Sequence, residues 1–121
     1  AVPGDRRSSG SVAAMTTLPE ITVQELQQRL AAGAALVDVR EVDEYEQGHV
    51  PGARLIPLGE LPGRVAEVPA GEQVLMICRS GARSAKAGEF LIGEGRDVVN
   101  VAGGTLAWIE AGFEVNTGNQ P

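Results

Sequence analysis

From about residue 20 onward the chain switches between short unbroken apolar runs and stretches in which apolar residues recur every three or four positions. In TVQELQQRLAAG, Thr22 stands three residues before Glu25, the spacing of a helix N-cap and its capping box. Leu26 and Leu30 then share one face and Gly33 marks a stop, so a helix is predicted here. ALVDV, residues 35–39, is a short apolar run of the kind buried on both faces of a parallel sheet. It ends in the charged cluster REVDEYEQGH, which reads as a functional loop. ARLIPL, 53–58, predicts a strand terminated by Pro57, and LGELPGRVAEV, 58–68, an irregular helix broken near Pro62 and Gly63. QVLMIC, 73–78, is a strand, followed by a helix over RSAKAGEFLIGEG, 83–95, with Ala85, Phe90 and Leu91 available for burial. DVVNV, 97–101, is a further strand, and TLAWIEAG, 105–112, a helix capped by Thr105 and closed by Gly112. Strands alternating with helices imply an α/β fold, a parallel or mainly parallel sheet covered on both faces.

Composition narrows what such a sheet can be. The 121 residues suit one domain, and with 43% apolar but only 3% aromatic residues the core must be built from Val, Leu, Ile and Ala. A net charge of −6 with so few aromatics excludes the basic patches and stacking platforms of nucleic-acid binding. No apolar run approaches the roughly 20 residues that span a bilayer. A single cysteine forms no internal disulfide, which suits a reducing, cytoplasmic setting. Residues 1–14, AVPGDRRSSGSVAA, lack periodicity and read as a leader outside the domain, with Met15 as a natural start. The domain itself is expected over 18–115, with 116–121 a flexible tail.

The one cysteine, Cys78, closes the apolar strand and opens CRSGARS, residues 78–84. Ligands of open α/β sheets bind outside the carboxyl ends of the strands, and Cys78 stands at such an end. Arg79, Ser80, Gly81, Ala82, Arg83 and Ser84 form a short loop of small and basic residues that can curl its N–H groups inward as an anion nest, reinforced by the N-terminus of the next helix. A thiol at that focus has a depressed pKa and acts as a nucleophile. The bland alternative for a cysteine ending an apolar strand is an inert core thiol; the glycine, arginines and serines that follow favour the reactive reading.

Loop length separates the chemistries. Cysteine-dependent phosphatases read C-x5-R-[S/T], whereas here the arginine comes one residue earlier, as C-x4-R-S. With this count the chain resembles the single-domain rhodaneses, the thiosulfate sulfurtransferase family. LVDVREVDEYEQGHVPGARLIPL (36–58) is similar to the family signature D-V-R-x-x-x-E-[Y/F]-x-x-G-H-[I/V]-P-G-A. CRSGARS matches its active loop, and NVAGGTLAWIEAG (100–112) its closing G-G-x-x-x-W. The resemblance implies a rhodanese-like fold, a five-stranded, mainly parallel sheet flanked by helices on both faces. It further implies ping-pong sulfur transfer: the Cys78 thiolate takes the sulfane sulfur of thiosulfate or a related small donor, and the persulfide, held by residues 79–84, passes it to cyanide or a thiol, including a protein thiol.

Arg83, and less clearly Arg79, are candidates to bind the donor sulfonate. Asp38 and Arg40, at the end of the neighbouring strand, are supporting residues: Asp38 is expected to accept hydrogen bonds from the active loop, and Arg40 to pair with Glu44 or face the pocket. His49, the one histidine, has the chemistry of a general base, but the resemblance makes it a fold-signature residue. Gly103, Gly104 and Trp108 are expected to fix a tight turn and bury an indole. One Cys and one His supply no four-ligand metal site, and no cofactor is implied. A non-catalytic sulfur carrier or partner-binding module is the alternative function; a phosphatase or arsenate reductase fits the loop count less well.

Overall fold

The computed structural model describes residues 18–121; the leader and start expected over residues 1–15 lie outside them. In chain order the elements are β1 (Glu20–Ile21), α1 (Val23–Ala31), β2 (Ala35–Asp38), α2 (Val42–Gln47), β3 (Arg54–Leu55), two 3-10 turns (Leu58–Gly63 and Val65–Glu67), β4 (Gln73–Ile77), α3 (Ala82–Gly93), β5 (Asp97–Val101) and α4 (Gly104–Glu110). The five strands form one sheet in the order β1-β5-β4-β2-β3, and each neighbouring pair is parallel. The expected α/β class is therefore what the chain adopts.

The sheet separates two apolar layers, and the pleat assigns residues to them. Leu75 and Ile77 of β4, with Val99 and Val101 of β5, pack among Leu26, Tyr45 and Trp108 on one face. Val74, Met76 and Cys78, with Val98, pack among Leu61, Ala87 and Leu91 on the other. Burial on both faces explains why these strands read as continuous apolar runs. At the carboxyl end of β5, Asn100 interrupts that pattern as a buried polar residue.

The first helix signal is realised as read. The Thr22 side chain accepts from the Glu25 N–H at 3.1 Å and starts α1. The expected strand over 53–58 is regular only at Arg54–Leu55, and Pro57 does not terminate its contacts: on this edge strand Ile56 and Leu58, on either side of it, each donate one N–H to β2 and its extension. Other expectations are corrected. REVDEYEQGH is not all loop, since Val42–Gln47 form α2, with the Glu44 carboxylate accepting from the Glu41 N–H at 3.0 Å. In α3 the buried face is Ser84, Ala87, Gly88 and Leu91, a strict i, i+3, i+4, i+7 stripe. Phe90 falls off that stripe and is exposed, and Ala85 is half-buried. Helix α4 begins after Gly103, so Thr105 lies within it and does not cap it. Separately from these, the tail over 116–121 lies against α2 and the residue after it: His49 and Asn116 pair backbone to backbone, and the Gly118 N–H donates to the Glu46 carbonyl at 2.8 Å.

Candidate active site

Cys78 is the first residue beyond β4 and is only 1% exposed. Its backbone is clamped from below by α4. The Thr105 N–H and hydroxyl both donate to the Cys78 carbonyl, at 2.8 and 3.0 Å, and the Leu106 N–H donates to the Arg79 carbonyl at 3.0 Å. With these two carbonyls turned toward α4, the following N–H groups are left to face the thiol. Gly104 makes the approach possible, because a Cβ there would stand 2.5 Å from the Cys78 oxygen and 2.6 Å from the Arg79 oxygen. The expected tight turn at Gly103 and Gly104 is thus a docking point for the loop. Gly81, at φ 107° in the left-handed region, then turns the chain into α3.

The Gly81 N–H lies 3.1 Å from the Cys78 Sγ and the Ser84 Oγ 3.3 Å from it. Burial pushes the thiol pKa up, but hydrogen bonds from the Ser84 hydroxyl and from the backbone of Ser84, Gly81 and Ser80 outweigh it, so the pKa is lowered. The twelve-residue helix α3 points its N-terminus at the same place. A sulfur with donors aimed at it from the loop and from Ser84 can hold a negative charge.

The arginines are placed differently from one another. The Arg83 guanidinium forms a two-pronged pair with the Glu44 carboxylate, Nη1 to Oε1 at 2.8 Å and Nη2 to Oε2 at 2.9 Å. That pairing leads the causes that hold the Glu44 pKa down at about 2. Arg79 is exposed, and among the described residues no carboxylate pairs with it. It lines a cavity of about 260 Å³ beside the loop, together with Arg40, Glu44, Leu106 and Ile109. Ala82 is exposed at the first turn of α3.

Asp38 and Arg40 do not serve the loop in the expected way. Asp38 accepts from the Arg40 backbone N–H and, at 2.8–3.1 Å, from its guanidinium, while Arg40 Nη2 also donates to the Gly48 carbonyl at 2.9 Å. The partner of Arg40 is therefore Asp38 and not Glu44, although Arg40 borders the cavity. Both side chains are buried, and the pair ties the end of β2 to the end of α2. His49 is buried with its ring stacked on Tyr45, and its two nitrogens lie 2.7 and 2.6 Å from the carbonyls of Tyr45 and Gln120. Neither nitrogen is left to act as a base. The Trp108 indole is buried and donates to the Glu114 carbonyl at 2.7 Å.

Sequence reasoning missed Thr105 as a clamp, Glu44 as the partner of Arg83, and Asn100. The Asn100 side chain lies behind the thiol, bonded to Ser84 and to the Gly81 carbonyl. Among the described residues no group of three or more His, Cys, Asp or Glu converges on a metal position, and no helix is long and apolar enough to cross a membrane.

Comparison with known proteins agrees with this architecture. The family model described as Rhodanese-like domain matches residues 22–111. A sulfurtransferase of Allochromatium vinosum is 39% identical over 99 residues, covering 79% of this chain and 92% of that protein. The putative sulfur carrier protein YrkF of Bacillus subtilis is 36% identical over 96 residues, 77% of this chain; the match spans 52% of YrkF, about half its length. Among solved structures, a rhodanese-like domain protein from Staphylococcus aureus superposes with a TM-score of 0.76 at 36% identity, covering 84% of this chain and 99% of the other. A parallel five-stranded sheet, a cysteine loop at the end of its central strand and a family match over most of the chain lead to one conclusion: this protein belongs to the rhodanese-like sulfurtransferase family.

Proposed function

We propose that the chain is a thiosulfate sulfurtransferase working through a persulfide on Cys78. The observation that carries this reading is the convergence of the Gly81 N–H and the Ser84 hydroxyl on a buried sulfur at the head of α3. The Cys78 thiolate attacks the sulfane sulfur of thiosulfate; the new S–S bond forms as the old one breaks, and sulfite leaves with the electron pair. The outer sulfur of the persulfide then carries the charge, and the loop N–H groups are already aimed to stabilise it. Arg79, exposed at the cavity, is the better-placed cation for the sulfonate, since Arg83 is committed to Glu44. A cyanide or thiol acceptor attacks the outer sulfur and releases the Cys78 thiolate. A cytoplasmic setting, where thiols stay reduced, suits a site built on one free cysteine.

A second reading, transfer to a partner protein's thiol, is favoured by the exposed Leu106 and Ile109 at the cavity rim and by the sulfur-carrier name of one relative. One experiment tests the shared core. Mass spectrometry after thiosulfate treatment should show a gain of one sulfur atom, lost again on adding cyanide, and Cys78→Ser should show no gain. Thiosulfate:cyanide turnover by Cys78→Ser would overturn the mechanism.

A further inference from the structure

Behind the thiol a chain of polar groups leaves the site through the sheet. The Ser84 Oγ, buried, lies 3.3 Å from Sγ, 3.3 Å from the Gly81 carbonyl and 2.6 Å from the Asn100 Oδ1. The Asn100 Nδ2 lies 3.1 Å from the Gly81 carbonyl and 2.9 Å from the Glu20 carboxylate on β1. Both of those partners can only accept, so the amide orientation is determined: Nδ2 faces them and Oδ1 faces Ser84. A serine hydroxyl has one hydrogen. Sγ as thiolate, the Gly81 carbonyl and Asn100 Oδ1 all call for it; of the two oxygens Asn100 Oδ1 is the nearer by 0.7 Å, from 3.3 and 2.6 Å, while 3.3 Å is an ordinary length for a bond to sulfur, so the thiolate and Asn100 are the competitors.

We propose that Asn100 is a positioning residue which controls how readily Cys78 ionises by holding the Ser84 hydrogen. While Cys78 is a thiol, Ser84 donates to Asn100 and turns a lone pair to the S–H. When the thiol proton leaves to solvent, the hydroxyl rotates onto the thiolate and gives up Asn100. In the persulfide the charge has moved to the outer sulfur, and the hydrogen returns to Asn100. Asn100 is therefore a competitor of the thiolate. Of its two Nδ2 contacts, the one to Glu20 leads away from the loop, and the one to the Gly81 carbonyl adds little to loop placement, since Ala85, Leu106 and Thr105 already bond the carbonyls of Gly81, Arg79 and Cys78. This inference rests on Cys78 being the nucleophile. The charged groups around the network are Glu20 on β1, Arg79 in the loop, and Arg83 on α3 with Glu44 on α2.

The test is the pH dependence of Cys78 alkylation by iodoacetamide, with thermal melts to confirm folding. Asn100→Val removes the competitor and should lower the midpoint by about one half to one pH unit, a roughly three- to tenfold gain in thiolate below it. Asn100→Asp strengthens the competitor and adds charge, and should raise the midpoint by about one. In a Ser84→Ala background Asn100→Val should shift nothing, because the hydrogen at issue is gone. Shifts of the same sign for both variants, an unmoved midpoint, or an Asn100→Val shift that persists without Ser84 would overturn the proposal. If Asn100→Val does not fold, Asn100→Asp decides: its rise must shrink when Ser84 is alanine, and an undiminished rise overturns the proposal. Alkylation involves no sulfur transfer. A protein that fails to turn over thiosulfate but shows these midpoints would refute the proposed function and leave the role of Asn100 standing.

Discussion

Replacing Asp38 by alanine isolates what the pair beneath the site contributes. Asp38 is fully buried, and the Arg40 side chain is 6% exposed. The substitution removes the acceptor of the Arg40 backbone N–H, Nε and Nη2, and leaves the guanidinium with the Gly48 carbonyl as its remaining partner. Stranding one member of a buried ion pair costs about 3–5 kcal/mol, because the desolvation of the survivor is no longer offset. Against a total stability of roughly 5–15 kcal/mol for a domain of this size, that is a large fraction. At about 4–8 °C per kcal/mol, the melting temperature should fall by roughly 12–40 °C. Urea unfolding followed by the fluorescence of Trp108, which is buried, measures it directly. Asp38→Ala combined with Arg40→Met should recover most of the loss, since no charge is then stranded. Turnover per folded molecule of Asp38→Ala should stay within about twofold, because none of its side-chain hydrogen bonds goes to the loop. A loss below about 1 kcal/mol, or a double variant no more stable than the single one, would refute the view that the pair is a buried structural tie.

The other expectations concern the loop and its anchors. Gly104→Ala should destabilise the fold by at least about 2 kcal/mol and cut sulfurtransfer, because its Cβ meets two loop carbonyls and no flexible atom can give way; normal activity and melting would show that the clamp from α4 is dispensable. Arg79→Ala should raise the KM for thiosulfate more than Arg83→Ala does, and the reverse order in steady-state kinetics would return the sulfonate to Arg83. The Glu44 pKa is depressed to about 2, so the tie from α2 to the loop arginine is fully present above the ordinary carboxylate range and is lost as pH falls through about 2. Carboxylate titration by NMR should show Glu44 ionised at pH 4, and Arg83→Ala should move its midpoint upward.

Where chemistry and geometry are local, this sequence states them openly. Thr22 and Glu25 start a helix because their side chain and N–H are three residues apart, and Pro57 is tolerated on the edge of the sheet because Ile56 and Leu58 supply the N–H groups that face β2. The apolar runs of β2, β4 and β5 announce strands buried on both faces, and Cys78 followed by small and basic residues announces a loop that can gather N–H groups. What remained hidden depends on segments that meet only after folding. Strand β1 is two residues long and carries no period; it exists because β5 offers it an edge. Arg83 looked like a free cation until α2, 39 residues away, brought Glu44 to it. Asn100 sits in an apolar strand as an ordinary polar interruption, and nothing beside it in sequence shows that Ser84, 16 residues back, and Glu20, 80 residues back, converge on its amide. Backbone preferences act over a few residues and leave their mark in the order of the chain, whereas the ownership of one hydroxyl hydrogen or one guanidinium is decided by which groups lie within about 3 Å once the sheet has closed.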